Sequence, residues 1–314
     1  MPAVTLVVVP RERFSYAQSS LESIYRNTNH PFELIYVDGN SPAPLSRHLR
    51  RAAAEKGFRL IRTEHFLSPN QARNIGLREV RTKYVVFIGN DIEVERGWLS
   101  ELVACAEETG AWAVSPVYFE GDRKDRIIHM AGGSAEFVER DGIRTFDEAH
   151  LFNHSKFDDV AHNLKRDQTG FFEFHTVLMP MTVFDTMGPF DEELLSSNEH
   201  LDASLLIRQA GGAIYLVPTA QVTYTFGLLD DYDLEYATLR WSDEWNQRST
   251  MRFVEKWNID RRSSWIQPSI DWCSNQRAHL GRMRRSLYTI VKMQASKNIM
   301  TRRLYAAVRE ARAH

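Results

Sequence analysis

In TKYVVFIGNDIEVERGWL a β-branched and aromatic run passes directly into Asn90, Asp91 and Glu93. Such a run reads as a strand buried on both faces. A carboxylate at the carboxyl end of that strand is costly unless something binds it, so the question the sequence raises is what Asp91 holds. Two other strand-like runs end in polar groups in the same way. VTLVVV (4–9) leads into Pro10, Arg11 and Glu12, and FELIYV (32–37) leads into Asp38-Gly39-Asn40-Ser41-Pro42, a strong turn signal.

The elements between these runs are those that bring their ends together. SYAQSSLESIYRNT is an amphipathic helix with Leu21, Ile24 and Tyr25 on one face, and LSRHLRRAAAEKG is a helix closed by Gly57. FRLIR is a short strand. Ser68 is placed to cap the helix PNQARNIGLREV, with proline in its first turn. Strands alternating with helices at this spacing predict an α/β fold with a mostly parallel sheet covered on both faces. Ligands of such sheets bind beyond the carboxyl ends of the strands, where Pro10, Arg11, Glu12, Asp38, Asn90 and Asp91 all fall. From Trp112 to Phe174 the pattern weakens into what reads as loops and edge strands, excursions of the kind that often carry function. Order returns with a strand around FEFHTVLMP, the helix EHLDASLLIRQA ended by Gly211-Gly212, and the strand AIYLV. After Phe226 the pattern is helical to the end.

The composition narrows the class. With 314 residues, 43% of them hydrophobic, and a net charge of -2, the chain suits one large α/β core or two modest domains and excludes a disordered chain. Cys105 and Cys273 have no metal spacing, and two isolated thiols suit a reducing compartment. MPAVTLVVVP lacks a positive n-region, and no apolar run approaches a membrane span. The expectation is a soluble, cytoplasmic protein. Charge is unevenly spread, because ten Lys/Arg face the single acid Glu310 from Cys273 onward, so an acidic body carries a basic tail. No nucleic-acid module accompanies that tail, and no nucleic-acid partner is expected.

Four segments in order resemble the family-2 glycosyltransferases: VTLVVVP, FELIYVDGNSP, SPNQARNIGLREVRTKYVVFIGND and GPFDEELLSSNEHLDASLLIRQAGG. The resemblance covers about residues 3 to 257. It implies the GT-A fold, a Rossmann-like mixed and mostly parallel sheet flanked by helices, here with a helical C-terminal extension. It also implies transfer of a sugar from a nucleotide-sugar donor, UDP-linked, to an acceptor hydroxyl on a carbohydrate, a lipid-linked compound or a small molecule. Asp38 then accepts from a base N–H, with Pro10, Glu12 and Asn90 on neighbouring strand ends, and Arg73 neutralises a phosphate or pins the Asp38 and Asp91 carboxylates. Asp91 binds Mg2+ or Mn2+, which bridges the diphosphate. The metal is thus what Asp91 is expected to hold.

The sequence departs from the family pattern at two places. The DxD motif is represented by Gly89-Asn90-Asp91, with Glu93 as a second carboxylate on the same side of an extended segment or, alternatively, a solvated turn residue. Tyr224 stands near the place where many relatives carry a metal-binding histidine. In the acceptor segment Glu199-His200-Leu201-Asp202 replaces the ED pair, so His200 occupies the base position. Histidine serves as a general base near neutral pH; Glu199 or Asp202 is the alternative, with His200 positioning the acceptor. His175 is read first as a packed core group. The incomplete motifs also support a second function, a non-catalytic nucleotide-sugar or carbohydrate-binding protein on the same scaffold.

The expected organisation is a GT-A domain over 1–226, its nucleotide-binding half about 1–115 and its acceptor half about 116–226, followed by a helical extension with the basic tail over 227–314. The tail suits amphipathic helices, read first as packing or homo-oligomer surfaces and second as peripheral attachment to an anionic membrane.

Overall fold

The structure is a computed structural model that describes residues 3–225 and 229–276. Phe226 and the basic tail of 277–314 lie outside the described residues. The chain runs β1 (Val4–Val9), α1 (Ala17–Asn27), β2 (Glu33–Gly39), α2 (Ala43–Lys56), β3 (Arg59–Thr63), α3 (Pro69–Leu77), β4 (Tyr84–Gly89), β5 (Ile92–Val94), α4 (Trp98–Thr109) and β6 (Ala113–Glu120). Then come β7 (Ile127–Met130), β8 (Gly133–Arg140), β9 (Ile143–His150), α5 (Phe157–Val160), β10 (Asp167–Gln168), β11 (Thr176–Pro180), α6 (Val183–Met187), α7 (Glu199–Gln209) and β12 (Ile214–Tyr224). The helices α8 (Asp231–Arg240) and α9 (Asp243–Lys256) follow.

One ten-stranded sheet dominates, in the order β10-β12-β6-β11-β4-β1-β2-β3, with β5 on β12 and β7 on β6. The pairs β3–β2, β2–β1, β1–β4 and β6–β12 are parallel, while β11 runs antiparallel between β4 and β6. Every residue of β1 and β4 is buried, as expected of their apolar runs. Alternation along the strand divides the core. Val4, Leu6 and Val8 pack with Leu21, Ile24 and Leu49 of α1 and α2, whereas Val7 and Val9 pack with Ala72, Ala203 and Ile207 of α3 and α7. The strand ends therefore emerge at one edge, between two helical layers.

The segment 112–174, expected as loops and edge strands, holds β6, a central strand. Ser115-Pro116 interrupts its apolar run, and proline within a run ordinarily argues for an edge. The structure accommodates Pro116 where both neighbours let go. β6 meets β11 only at Val114, and the β6–β12 register shifts between Val217 and Gln221. The same segment forms the hairpin β8–β9, whose Asp141-Gly142 corner has φ of 52° and 71°. That conformation at both central residues is the one Asp-Gly hairpin turns favour.

Ser68 caps α3 reciprocally with Gln71, and Pro69 lies in its first turn. Asn74 then reaches across to the backbone of Phe190, donating to its carbonyl at 2.9 Å and accepting from its N–H at 3.0 Å. Two of the sequence motifs are thus stitched to one another. Among the described residues no helix is long and apolar enough to cross a membrane.

α3 approaches β1 so closely that a Cβ on Gly76 would lie 2.2 Å from Val7 Cγ1. Gly76→Ala is expected to destabilise the protein by about 1–3 kcal/mol, the usual overpacking range, despite alanine's better helix propensity. Denaturant melts check this, and in a double-mutant cycle the change is markedly non-additive with Val7→Ala.

Candidate functional site

The carboxyl ends of β1, β2 and β4 carry a buried charge cluster. Asn90 shapes it, accepting from the Arg11 N–H at 2.9 Å through Oδ1 and donating to the Arg13 carbonyl through Nδ2 at 3.4 Å. Pro10 packs beside Gly39, where an added Cβ would come within 3.1 Å of its Cγ. Glu12 accepts from the Tyr224 hydroxyl and, at 2.8 Å, from Trp241 Nε1. Burial alone would raise the Glu12 carboxyl, but Arg11, Arg13 and Arg240 outweigh it and hold it down at about 2. Asp38 accepts from the Ser41 N–H at 2.8 Å, closing a side-chain turn, and from Arg62 at 2.6 Å.

Asp91 is fully buried. Its Oδ2 lies 3.5 Å from the Arg11 guanidinium, while Oδ1 has no hydrogen-bond partner among the described residues. Burial pushes this carboxyl up to about 6 against the pull of Arg11. An unpartnered buried carboxylate oxygen fits one coordination position of a divalent cation. Glu93 is placed otherwise. It pairs with Thr223 in the β5–β12 ladder, and its charge acts on Arg123. Tyr224, at the position expected to resemble a ligating histidine, carries the Arg11 guanidinium over its ring at 4.1 Å.

Arg73 lies under the same surface, 2% exposed. Its guanidinium donates to Asn70 at 2.7 Å, lies 3.8 Å from Glu199 and covers the Phe174 ring at 3.6 Å. Burial, with Arg240 nearby, holds Arg73 down to about 9. Arg240 comes from the end of α8 and donates to the carbonyls of Arg11 and Ser196 and to Glu199. Four guanidiniums (Arg11, Arg13, Arg73, Arg240) thus surround three carboxylates (Glu12, Asp91, Glu199), leaving a surplus of positive charge. α8 is held down over this region by Tyr236, stacked against Phe14 and Phe66, and by Asp233, which accepts from the Ser15 N–H and hydroxyl. Beside it a cleft of about 490 Å3 opens over the Asp38–Arg62 pair, lined also by Arg47, Arg50 and Phe66.

The start of α7 provides the acceptor-side candidates, and the structure separates them. Glu199 faces Arg73 and Arg240. Asp202 accepts from Lys256 at 2.8 Å and from Trp257 Nε1 at 2.9 Å. His200 points the other way, with Nε2 3.4 Å from the Glu173 carboxylate. Around Glu173 gather His150, at 3.7 Å, and His129, while His175 stacks flat on Tyr224 with centroids 5.0 Å apart. Burial keeps His150 down at about 4 and His175 well below the ordinary range, so both are neutral imidazoles. Although burial opposes it, Glu173 is pulled down, chiefly by His200.

Sequence reasoning missed Arg240, Glu173, His129 and His150 as site residues; of Arg11 it gave only the place, at the end of β1. One signal was available. Six of the eleven histidines fall between 129 and 200, a density that packing does not require.

Comparisons with known proteins bear on this arrangement. The family model described as glycosyl transferase family 2 matches residues 5–184. A Drosophila melanogaster protein named "Putative inactive polypeptide N-acetylgalactosaminyltransferase 12" is 23% identical over 199 residues, 62% of this chain and 34% of its own, so the chain spans about a third of that relative. Among solved structures, GalNAc-T7 with UDP, GalNAc and Mn2+ superposes with a TM-score of 0.57 at 16% identity, covering 89% of this chain and 57% of its own. S. aureus TarS 1-349 in complex with UDP-GlcNAc superposes with a TM-score of 0.52 at 16% identity, covering 88% and 72%. These likenesses give the GT-A fold, and the family match over more than half of the residues makes the chain a member of glycosyl transferase family 2.

Proposed function

We propose that the protein transfers a sugar from a UDP-linked donor to an acceptor hydroxyl. The observation that carries this reading is the array of buried arginines (Arg11 and Arg13 after β1, Arg73 on α3, Arg240 ending α8) gathered around Glu12, Asp91 and Glu199, with the Arg11 charge reaching Glu173 and His175. Structural neighbours titled with UDP, UDP-GlcNAc and GalNAc support the donor class. Asp38 serves the base N–H, exchanging the Ser41 or Arg62 contact for it. Arg11, Arg73 and Arg240 neutralise the diphosphate, because fixed donors aimed at developing charge act strongly in a dry site. Asp91 would hold Mg2+ or Mn2+ through Oδ1, with Glu93 contributing only if its segment turns inward; when bound, that ion supplies further charge stabilisation to the leaving diphosphate.

In the transfer step the acceptor oxygen bonds to the anomeric carbon, the bond from that carbon to the diphosphate oxygen breaks, and its electron pair remains on the diphosphate. His200 takes the acceptor proton. Glu173 orients the imidazole, as a carboxylate behind a catalytic histidine does. Glu199 and Asp202 already serve arginines, a lysine and a tryptophan, which favours His200 over either of them as base. Those same pairings, and the fly relative's name, favour the second reading, a protein that binds the donor without turning it over. Incubation with UDP-sugars separates the two. Release of UDP with or without acceptor supports the first, and binding with no release supports the second.

His200→Ala is expected to lower turnover by at least about 10²-fold while leaving donor affinity unchanged, as measured by single-turnover rates and donor titration. Asp202→Asn acts differently. It leaves Lys256 paired with Asp191 at 3.4 Å and relieves a carboxyl that burial pushes up, so the melting temperature at pH 8 is expected to hold or rise and turnover to fall far less than in His200→Ala.

Asp91→Asn should affect stability and function in opposite directions. The carboxyl rises from 3.8 to about 6 on folding, so its contribution is fully present below pH 4 and is lost as pH climbs through 6. A neutral amide at this position escapes that loss. The variant is expected to be more stable by about 2 kcal/mol at pH 8 and unchanged at pH 4, yet inactive in transfer. Melting curves at the two pH values and an activity assay check both halves.

A further inference from the structure

We propose that His129, His150 and Glu173 form a binding site for a divalent transition metal of the zinc class, separate from the Asp91 position, with His200 at its edge. The first observation is convergence. One donor atom from each of the three residues lies within 4.8 Å of the others, the one such trio of histidines and acids among the described residues. A tetrahedral ion with bonds of about 2.1 Å sets its donors about 3.4 Å apart. His150 Nε2 lies 3.7 Å and His200 Nε2 lies 3.4 Å from the same Glu173 oxygen. Small inward rotations complete the set.

The second observation is independent of the first. His129 Nδ1 lies 3.1 Å from Glu120, which also engages His154 Nδ1 at 2.8 Å. A carboxylate that accepts from Nδ1 fixes the proton there and leaves Nε2 with its lone pair free. That is the outer-sphere arrangement by which proteins orient histidine ligands. The trio is partly open, with side-chain exposures of 22%, 20% and 14% for His129, His150 and Glu173, so an ion has a path in. Two imidazoles and a carboxylate prefer zinc and its transition-metal neighbours to Mg2+.

The ligands come from distant pieces of chain: His129 from β7, His150 from the last position of β9, and Glu173 from the approach to β11. They are already close because the hairpin base is anchored on that approach. Gly170 donates to the Gly133 carbonyl at 2.8 Å, and Gly133, opposite His150, has no room for a Cβ beside Phe171. A bound ion would clamp the β8–β9 hairpin against the acceptor side and fix Glu173 beside His200.

The test uses the full chain, freed of metal by chelation and dialysis, and Zn2+ alone. Calorimetry is expected to give one equivalent bound at micromolar or tighter affinity, with Mg2+ unable to compete. Cu2+ loaded into the unaltered protein should show electron-paramagnetic coupling to imidazole nitrogens, a readout that depends on no variant. His150→Ala and Glu173→Gln should abolish uptake, Glu120→Gln should weaken it about 10–100-fold, and Asp91→Asn should leave it intact. Far-UV circular dichroism of each variant confirms that it folds. Absence of Zn2+ uptake by the unaltered protein, uptake undiminished in His150→Ala and Glu173→Gln, or a copper spectrum without nitrogen coupling would each overturn the proposal.

Discussion

A single carboxylate, that of Glu12, must be neutralised where it is buried, and doing so ties together segments far apart in the chain. The Tyr224 hydroxyl that bonds it is 212 residues away, and the Trp241 indole 229 residues away. An ion stripped of water without partners costs several kcal/mol, so the β1 loop, the end of β12 and the α8–α9 junction are stable only when they close together. This explains why α8 and the α8–α9 junction are an integral part of the charge cluster at the strand ends. Tyr236 and Arg240 are buried against the first loop of the sheet, and the sheet's own charges depend on them.

The same closure leaves a residue of imbalance. Glu12, with its three arginines, is held at about 2, well below its ordinary range, and is fully compensated. Asp91 and Arg73 are not: one is pushed up to about 6 and the other down to about 9, each by burial that its partners fail to offset. Perturbed groups of this kind gather at functional sites because what would relax them is a ligand. On the proposed reading, a diphosphate opposite the arginines and a cation on Asp91 Oδ1 would relieve both at once. The fold itself holds the two groups away from their ordinary ranges.

The parts of this legible in sequence were those governed by short-range rules. The buried strands, the Ser68 cap and the polar strand ends each depend on residues a few positions apart, and all appear where periodicity and turn chemistry put them. β6 was obscured because Pro116 argues locally against a central strand. It is tolerated only because β11 and β12 both break their pairing there, a fact of tertiary register. Arg240 was invisible for a related reason. It looks like a solvated surface residue at a helix end until the fold buries it against Glu199 and the Arg11 carbonyl from other elements. The C-terminal helices read as an appendage because periodicity reports an apolar face but not what that face covers.

The departures from the family motifs take on a different meaning once neighbours are known. Tyr224 stands near the place of an expected histidine, and by itself that suggests a lost ligand. Yet its hydroxyl secures Glu12, its ring supports the Arg11 guanidinium, and His175 stacks on the same ring, 5.1 Å by centroids from His129. One aromatic ring therefore stands where a guanidinium-rich region meets an imidazole-rich one. Against its burial, the Arg11 guanidinium is pushed up by Tyr224, Asp91 and Glu12 and keeps its charge, whereas burial holds the His150 and His175 imidazoles down and able to accept a proton or a metal. The tyrosine keeps the two kinds of chemistry apart within a few ångströms, because a histidine in its place would sit beside Arg11 as a further base or cation rather than as a neutral wall.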